Sequence, residues 1–520
     1  MFTSIIDWLD EAVKIRPSKT IYIDPEEGDT PEAKLTVKEL DELTDRVAAG
    51  ILKAVQESVE PNILRESPIA VMTGRHRFTP VCFLGVAKAG GFYAPMEADL
   101  PEPRLIQILK VSEPGYVISD RENLDKTVDM VDQSGVKAKI LVMEDLLNAS
   151  IDGGVDIRSA RDNLTESSPL YMIFTSGSTG MPKGVLTSHY SLMCYLDGLN
   201  EVIGLDDTDV LGNQSPLDYI AAVRDLYLPL MTGAETVIIP RNTTAMPEEL
   251  FGVLNKYKVT TLCWSASGLE VLAKLGAFNS DTIVPPKHIK RIVFSGSVMS
   301  GKYLMMWQKA LPNTEFINQY GPTETTASCT YYRVKEQADE HTVLPIGKPY
   351  KHYKVFLMEE EGLGDGVGEI CVAGPALALG YYRNPEQTSK VFVTNPLCSG
   401  YDERIYLTGD LGRYNQDGDL EFLGRKDRQV KHLGHRIELV EIEGAAIKID
   451  GVHNAISMYD GEKSLLYLFY TGEATSKDIA LYFRSNMPAY MVPRKMVNLE
   501  EMPVLPNGKI DMNTLKGMMK

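Results

Sequence analysis

The stretch Tyr171–Val185 reads YMIFTSGSTGMPKGV. Its opening residues, Tyr171–Phe174, are apolar and read as a strand that stops at Thr175-Ser176-Gly177-Ser178-Thr179-Gly180. Four hydroxyls and two glycines in six residues make a loop where backbone N–H groups approach an anion and side chains add donors. Lys183 follows as a fixed positive charge. A Walker A loop needs a hydroxyl residue directly after its lysine, and Gly184 stands there instead. A polar surface turn is the competing reading, but the length of the run and the Pro182-Lys183-Gly184 that follows disfavour it. The loop reads as a cradle for a nucleotide or a similar anion.

Working outward, apolar strands alternate with helical patterns over roughly the first 300 residues, which favours α/β architecture with largely parallel sheets. The strands are Ile69–Met72, Gly91–Pro95, Gly115–Ile118, Ile140–Met143, Val237–Ile239, Thr260–Cys263 and Ile292–Ser295. Helical spacing appears at Val37–Val55 and Lys302–Leu311, and the N-terminal MFTSIIDWLDEAVKI reads as an amphipathic helix. From Val367 the texture changes to shorter strands and turns, with Asn415-Gln416-Asp417-Gly418 as a hairpin turn. A charged run, Lys426–Arg428, marks a domain boundary. Beyond it a helix over Glu438–Ile449 and a strand over Leu465–Tyr470 suffice for a small domain.

The chain has 520 residues, too many for one ordinary core. With 44% hydrophobic and 24% charged residues it has the composition of a globular protein. A net charge of −18 argues against nucleic acid as a partner. No apolar run reaches the roughly 20 residues of a membrane span, and no signal-peptide pattern opens the sequence. Six scattered cysteines without a CxxC pair read as reduced core thiols, so a cytoplasmic location is expected. The eight histidines form no HExxH or HxH cluster, and no GxSxG elbow is present.

Three further segments join the loop. Asn318-Gln319-Tyr320-Gly321-Pro322-Thr323-Glu324-Thr325-Thr326 combines an aromatic face, a turn, hydroxyls and a carboxylate. Tyr406-Leu407-Thr408-Gly409-Asp410 ends a strand on a carboxylate, and Leu505-Pro506-Asn507-Gly508-Lys509 puts a lysine on a turn. Taken alone, Asp410 reads as a turn carboxylate, Lys509 as a solvated surface lysine and Glu324 as a helix cap. Together, and in this order, the segments resemble the adenylate-forming enzymes, specifically the amino-acid adenylation domains of nonribosomal peptide synthesis and their free-standing relatives. The resemblance runs from Leu35-Thr36-Val37 and Lys88–Pro95 through Gly368-Glu369-Ile370 to Lys509.

It implies an N-terminal core domain (1–426) of mostly parallel sheets flanked by helices, with a small β-barrel-like part. A small mobile α+β domain (427–520) would turn about a hinge at Asp427. It also implies a two-step reaction. A carboxylate attacks the α-phosphate of ATP, and the resulting acyl-adenylate then passes its acyl group to the phosphopantetheine thiol of a carrier protein.

By that resemblance Thr175, Ser176, Gly177, Ser178, Thr179, Gly180 and Lys183 hold the leaving pyrophosphate. Glu324 ligates Mg²⁺, Thr323 reaches the α-phosphate and Tyr320 stacks on adenine. Asp410 accepts the ribose hydroxyls with help from Arg425, while Gly296, Ser297, Asn318 and Gly321 complete the nucleotide site. Lys509, with Thr175, Glu324 and Lys183, is implied to be catalytic. In the second half-reaction Val430–Gly434 would face the site.

The family usually places an aspartate against the substrate ammonium, and motif register puts Ile220 at that position. The remaining acid-pocket positions are Ala221, Arg224, Cys263, Val293, Ser295, Gln319, Ala327 and Ser328. Arg224 either pairs with a second carboxylate of the substrate or points out to Asp225 or Asp218. Asp218, two residues before Ile220, would share its strand face and receive a displaced amine. Three substrate classes remain open: a displaced-amine acid such as a β-amino acid, an amine-free acid, and an α-amino acid bound unconventionally. D-Alanine:carrier protein ligases have a similar free-standing layout but normally keep the aspartate. Because no carrier domain follows Lys509, a carrier protein acting in trans is expected. The alternatives are an acyl-CoA synthetase and a non-catalytic module on the same scaffold.

Overall fold

The structure, a computed structural model, describes residues 2–28, 30–57, 63–151, 155–175, 181–279, 283–359, 366–426, 428–503 and 510–519. Two large sheets carry the first part of the chain. One has seven strands: Lys139–Val142, Tyr116–Ser119, Ile69–Thr73, Tyr93–Glu97 and Pro169–Thr175 run parallel, and Lys183–Ser188 and Gly380–Tyr381 add an antiparallel edge. The other has nine. Glu315–Tyr320, Arg291–Ser295, Thr261–Ser265, Val210–Asn213, Glu235–Ile238 and Thr20–Ile23 run parallel, with antiparallel strands at both edges. Helices cover the sheets, so strands such as Ile69–Thr73 are buried at every position. That two-sided burial is why they read as continuous apolar runs rather than alternating ones.

All seven strands expected from the sequence are present, shifted by a residue or two. The run Ile140–Met143 ends early because Met143 opens the helix Met143–Leu147. The helix Val37–Gln56 starts at a capping box: Thr36 Oγ1 accepts from Glu39 N at 3.3 Å, and Glu39 Oε2 accepts from Thr36 N at 2.8 Å. The N-terminal helix, Ile5–Ile15, has the same device on Ser4 and Asp7.

The expected barrel-like part is a five-stranded antiparallel sheet built on the long strand Arg404–Tyr414. Along one edge that strand pairs first with Phe392–Thr394 and then with Leu420–Arg425. The turn Asn415–Gly418 connects it to the latter, with Gly418 at φ +74°.

From residue 428 onward the chain builds its own apolar cores, one around Ile442, Leu468 and Phe483 and one around Tyr467, Phe469 and Leu515. They pack on the sheet Asn454–Asp460, Leu465–Thr471 and Lys495–Leu499. The helix expected over Glu438–Ile449 is the shorter Leu439–Ala446. Asp427 lies outside the described residues. Among the described residues no helix is long and apolar enough to cross a membrane.

Lys88 ties two helices of the large part together. Its ammonium is fully buried and sits 2.5 Å from Asp41 Oδ1 and 2.7 Å from Asp45 Oδ1. Lys88→Ala leaves two carboxylates facing each other with no cation between them. A loss of about 3 kcal/mol in urea unfolding is expected; a variant as stable as the parent would show the ion pairs to be neutral.

Candidate active site

Parallel strands leave their carboxyl ends as a natural floor for ligands. Asn213, Ser265, Ser295 and Tyr320 close their strands on the nine-stranded sheet, and Glu97 and Thr175 close theirs on the other. Thr175, Ile220, Ala221, Arg224, Ser295, Gly296, Gly321, Thr323, Ala327, Asp410 and Arg425 line one cavity of about 70 Å³. Eleven positions expected in the site from sequence are thus neighbours in space.

On the side expected to take phosphate, Thr175 and Lys183 are paired across two antiparallel strands, Pro169–Thr175 and Lys183–Ser188. Ser176, Gly177, Ser178, Thr179 and Gly180 lie outside the described residues, as does Lys509. The Lys183 ammonium sits 5.5 Å from the centre of the Tyr381 ring.

Glu324, in the short turn Thr323–Thr325, is buried and accepts from Tyr381 Oη at 2.6 Å. Burial alone would raise its carboxyl, but the Arg436 guanidinium, the Tyr381 hydroxyl and Lys183 hold it below the usual carboxylate range. Asp410 is equally buried; Oδ1 accepts from Arg425 and Oδ2 from Tyr320 Oη at 2.5 Å. Each carboxylate oxygen keeps further acceptor capacity. Asn318 donates to the Pro345 carbonyl at 2.8 Å, and Ser297 sits in the bend after Ser295. Gly321 has a steric reason: a Cβ there would lie 2.5 Å from Ser328 Cα.

On the acid side, Cys263 and Val293 are fully buried, each two residues before its strand's end. They and Gln319 and Ser328 stand behind the cavity wall. Gln319 holds the wall in place: its Nε2 donates to Tyr350 Oη at 2.5 Å, while its Oε1 accepts from Arg224 at 2.7 Å and Ser328 Oγ at 3.4 Å.

Asp218 is a correction. The shared strand face with Ile220 does not exist, because residues 217–221 form successive turns, closed by Tyr219 N to Pro216 O at 3.1 Å and Ala222 N to Tyr219 O at 3.0 Å. Asp218 is absent from the cavity lining and packs instead towards Glu97. Burial and that second carboxyl push it up to about 7. Arg224 points into the site, so the outward alternative towards Asp218 or Asp225 is also corrected.

Of Val430–Gly434, expected to face the site, Lys431 and Gly434 line the cavity, whereas Arg104, Tyr219 and Arg436 carried no signal as site residues. The hairpin Gln429–His432 and His435–Glu438 inserts its face into the cleft. Its Arg436 Nη1 lies 3.0 Å from each oxygen of Glu324, and its Lys431 Nζ lies 4.7 Å from the centre of the Tyr320 ring. Tyr219 Oη donates to the Gly434 carbonyl, and Gly434, at φ +82°, faces Gly296 and Ser265. Arg104 pairs with Glu441 at 3.1 Å. In the sequence these are charges beside glycines and prolines, and only three-dimensional docking gives them partners.

His435 stacks flat on Tyr490, with ring centres 3.6 Å apart. Burial first, and His432 second, push it down to about 4. A base depressed below its unfolded value of about 6.5 stabilises the docked state above that pH and loses the contribution as pH falls towards 4. Docking of the hairpin, followed by limited proteolysis, is therefore expected to weaken between pH 6.5 and 5. His435→Phe keeps the stack and should flatten that dependence; an unchanged profile would assign it to other groups.

Comparison with known proteins bears on this geometry. Tyrocidine synthase 3 of Brevibacillus parabrevis is 31% identical over 456 residues, covering 86% of this chain and 7% of that protein. The chain spans less than a fifth of the length of such curated relatives. An artificially fused adenylation–PCP di-domain NRPS from Klebsiella oxytoca, NpsA-ThdA, shares the fold with a TM-score of 0.77 at 22% identity, over 95% of this chain and 94% of that one. A double mutant of o-succinylbenzoate CoA synthetase from Bacillus subtilis does so with a TM-score of 0.78 at 18% identity, over 98% of both chains. Residues 9–382 match the AMP-binding enzyme family, and the chain belongs to that family.

Proposed function

We propose that this chain is an ATP-dependent ligase that activates a small carboxylic acid as its adenylate, releases pyrophosphate and transfers the acyl group to a carrier-protein pantetheine. The observation that carries this reading is one cleft in which an ionised buried carboxylate, a ribose-type acidic anchor and a hydroxyl–lysine hairpin surround an enclosed acid cavity.

Thr175 and Lys183, with Ser176, Gly177, Ser178, Thr179 and Gly180, would carry the leaving pyrophosphate. Thr323 would meet the α-phosphate, Tyr320 the adenine and Asp410 with Arg425 the ribose. Lys509 would stabilise the charge that develops between the acid and the α-phosphate.

Glu324 fits a hard divalent cation, because it is held ionised while shielded from water. Among the described residues no set of three metal-ligating side chains exists. The cation would therefore share Glu324 with phosphate oxygens and water, as Mg²⁺ prefers, and would neutralise the pyrophosphate.

The docked hairpin suits the second half-reaction. Arg436 takes the place beside Glu324 that a metal would need, and Lys431 covers the ring that adenine would use. Gly434 has no side chain to obstruct a thin arm reaching the cavity. Rotation of residues 427–520 about Asp427 would exchange this state for the one presenting Lys509. Fold neighbours that join an adenylation domain to a PCP domain favour a carrier protein over free CoA. The CoA synthetase among the fold neighbours shows that the fold by itself does not choose.

ATP–pyrophosphate exchange across a broad panel of acids tests the reading. Exchange with at least one acid is expected, and ATP binding with no exchange for any acid overturns it. Arg436→Gln removes the docking partner of Glu324. It should lower acyl transfer to pantetheine, read as AMP release, by about 10-fold more than it lowers exchange. Equal loss in both half-reactions would argue against the hairpin's role in transfer.

A further inference from the structure

We propose that Arg224 makes the acid pocket selective for a substrate bearing a second carboxylate. This rests on the acid-activating reading above and names its substrate class. Arg224 is completely buried and lines the cavity beside Ile220, Ala221 and Ser295. Its Nε donates to the Ala221 carbonyl at 3.1 Å, and Nη2 to the Cys263 carbonyl at 3.2 Å. Its Nη1 donates to Gln319 Oε1 at 2.7 Å and Ser295 Oγ at 3.4 Å. Every one of these acceptors is neutral. Among the described residues no carboxylate lies within ion-pair distance of the guanidinium.

The charges around it confirm the imbalance. Asp225, next in sequence, turns its Oδ2 to Asn213 Nδ2 at 2.8 Å. It also feels the charge of Arg75, a half-buried cation that donates to Asn213 Oδ1 at 2.7 Å and to the Asn213, Ser215 and Ile239 carbonyls. Arg75 has Glu97 as its leading anionic neighbour, whereas the carboxyl nearest in sequence to Arg224, Asp225, is pushed up to about 7 by burial. Tyr195 and Cys263 do not compensate, because burial pushes both up to about 12 and leaves them neutral. The other guanidiniums lining the cavity each have an anion: Arg104 has Glu441, Arg425 has Asp410 and Arg436 has Glu324. Arg224 also sits in the first turn of the helix Ala222–Thr232, where the helix dipole adds positive potential. A buried cation in such surroundings gains from an anion brought into the same water-poor cavity, provided their attraction and hydrogen bonds outweigh the anion's loss of hydration.

The cavity has nothing comparable for an ammonium. Ile220 is apolar, Asp218 faces Glu97, and Asp410 is the one carboxylate among the described lining residues. Asp410 is already engaged by Arg425 and Tyr320. A diacid would place one carboxylate at the nucleotide for activation and the other against Arg224. Ser295 Oγ and the Arg224 N–H groups form its receptor.

The test is ATP–pyrophosphate exchange with matched short acids: a dicarboxylic acid, its half-amide, the monocarboxylic acid of equal length, and α- and β-amino acids. The diacid is expected to exceed its half-amide by about 100-fold in kcat/KM, the scale set by leaving a buried charge unpaired. Arg224→Gln should collapse that ratio to near unity, and Arg224→Lys should retain part of it. Monocarboxylic or amino acids used as well as the diacid, or an unchanged ratio in Arg224→Gln, would overturn the proposal. If Arg224→Gln does not fold, as judged by its melting curve, the wild-type ratio of diacid to half-amide decides alone. Exchange with no acid at all would instead remove the acid-activating reading beneath it.

Discussion

Glu324 is a buried carboxylate satisfied by a cation of the chain itself, Arg436, and in the function proposed above a divalent cation would take that place. Its carboxylate is shut away from water, held by the Tyr381 hydroxyl and kept ionised by positive neighbours. An ionised group at such depth must have a counter-charge at all times. Arg436, 112 residues further along the chain, supplies one when the hairpin is docked. The same requirement links chemistry to large-scale geometry. Anything that takes Glu324 from Arg436 removes a main electrostatic contact between the two parts of the chain, and anything that vacates it invites the hairpin back.

The nucleotide and acid halves of the cleft are built with different rigidity. The acid side rests on strand ends braced from behind, as Gln319 is by Tyr350 and Arg224 is by the Ala221 and Cys263 carbonyls. Such bracing fixes rotamers and suits discrimination between acids. The nucleotide side is partly made of residues from the hairpin, so in the proposed function its contents would differ from one half-reaction to the other. Selection of the acid can then remain constant while the machinery around it is exchanged.

Much of this was legible in the sequence for physical reasons. Strands covered on both faces announce themselves as unbroken apolar runs, as Ile69–Thr73 does, and capped helices announce their first turn, as Thr36 and Glu39 do. Eleven cavity residues were found because short motifs at strand ends fix backbone position within a few residues. Asp218 was misread because a period-two argument holds only on a strand, and the chain there closes consecutive turns through local hydrogen bonds. Arg436 and Arg104 were not read as site residues because a charge in a sequence says nothing of its partner when that partner is brought up by tertiary docking. Arg224 lay between these cases. Its position was legible, but its direction depended on which neighbours accept its hydrogen bonds.

The ammonium of Lys431 above the Tyr320 ring has a further consequence for how tightly the chain holds nucleotide. A molecule whose binding face is covered by its own side chain binds with an apparent constant weakened by the fraction of time the face is open. If nucleotide takes the Tyr320 face, then once the docked state predominates each tenfold shift towards it would weaken the apparent nucleotide affinity about tenfold with no change in a single direct contact. In the proposed function the equilibrium position of the hairpin would in this sense act as a volume control on ATP affinity.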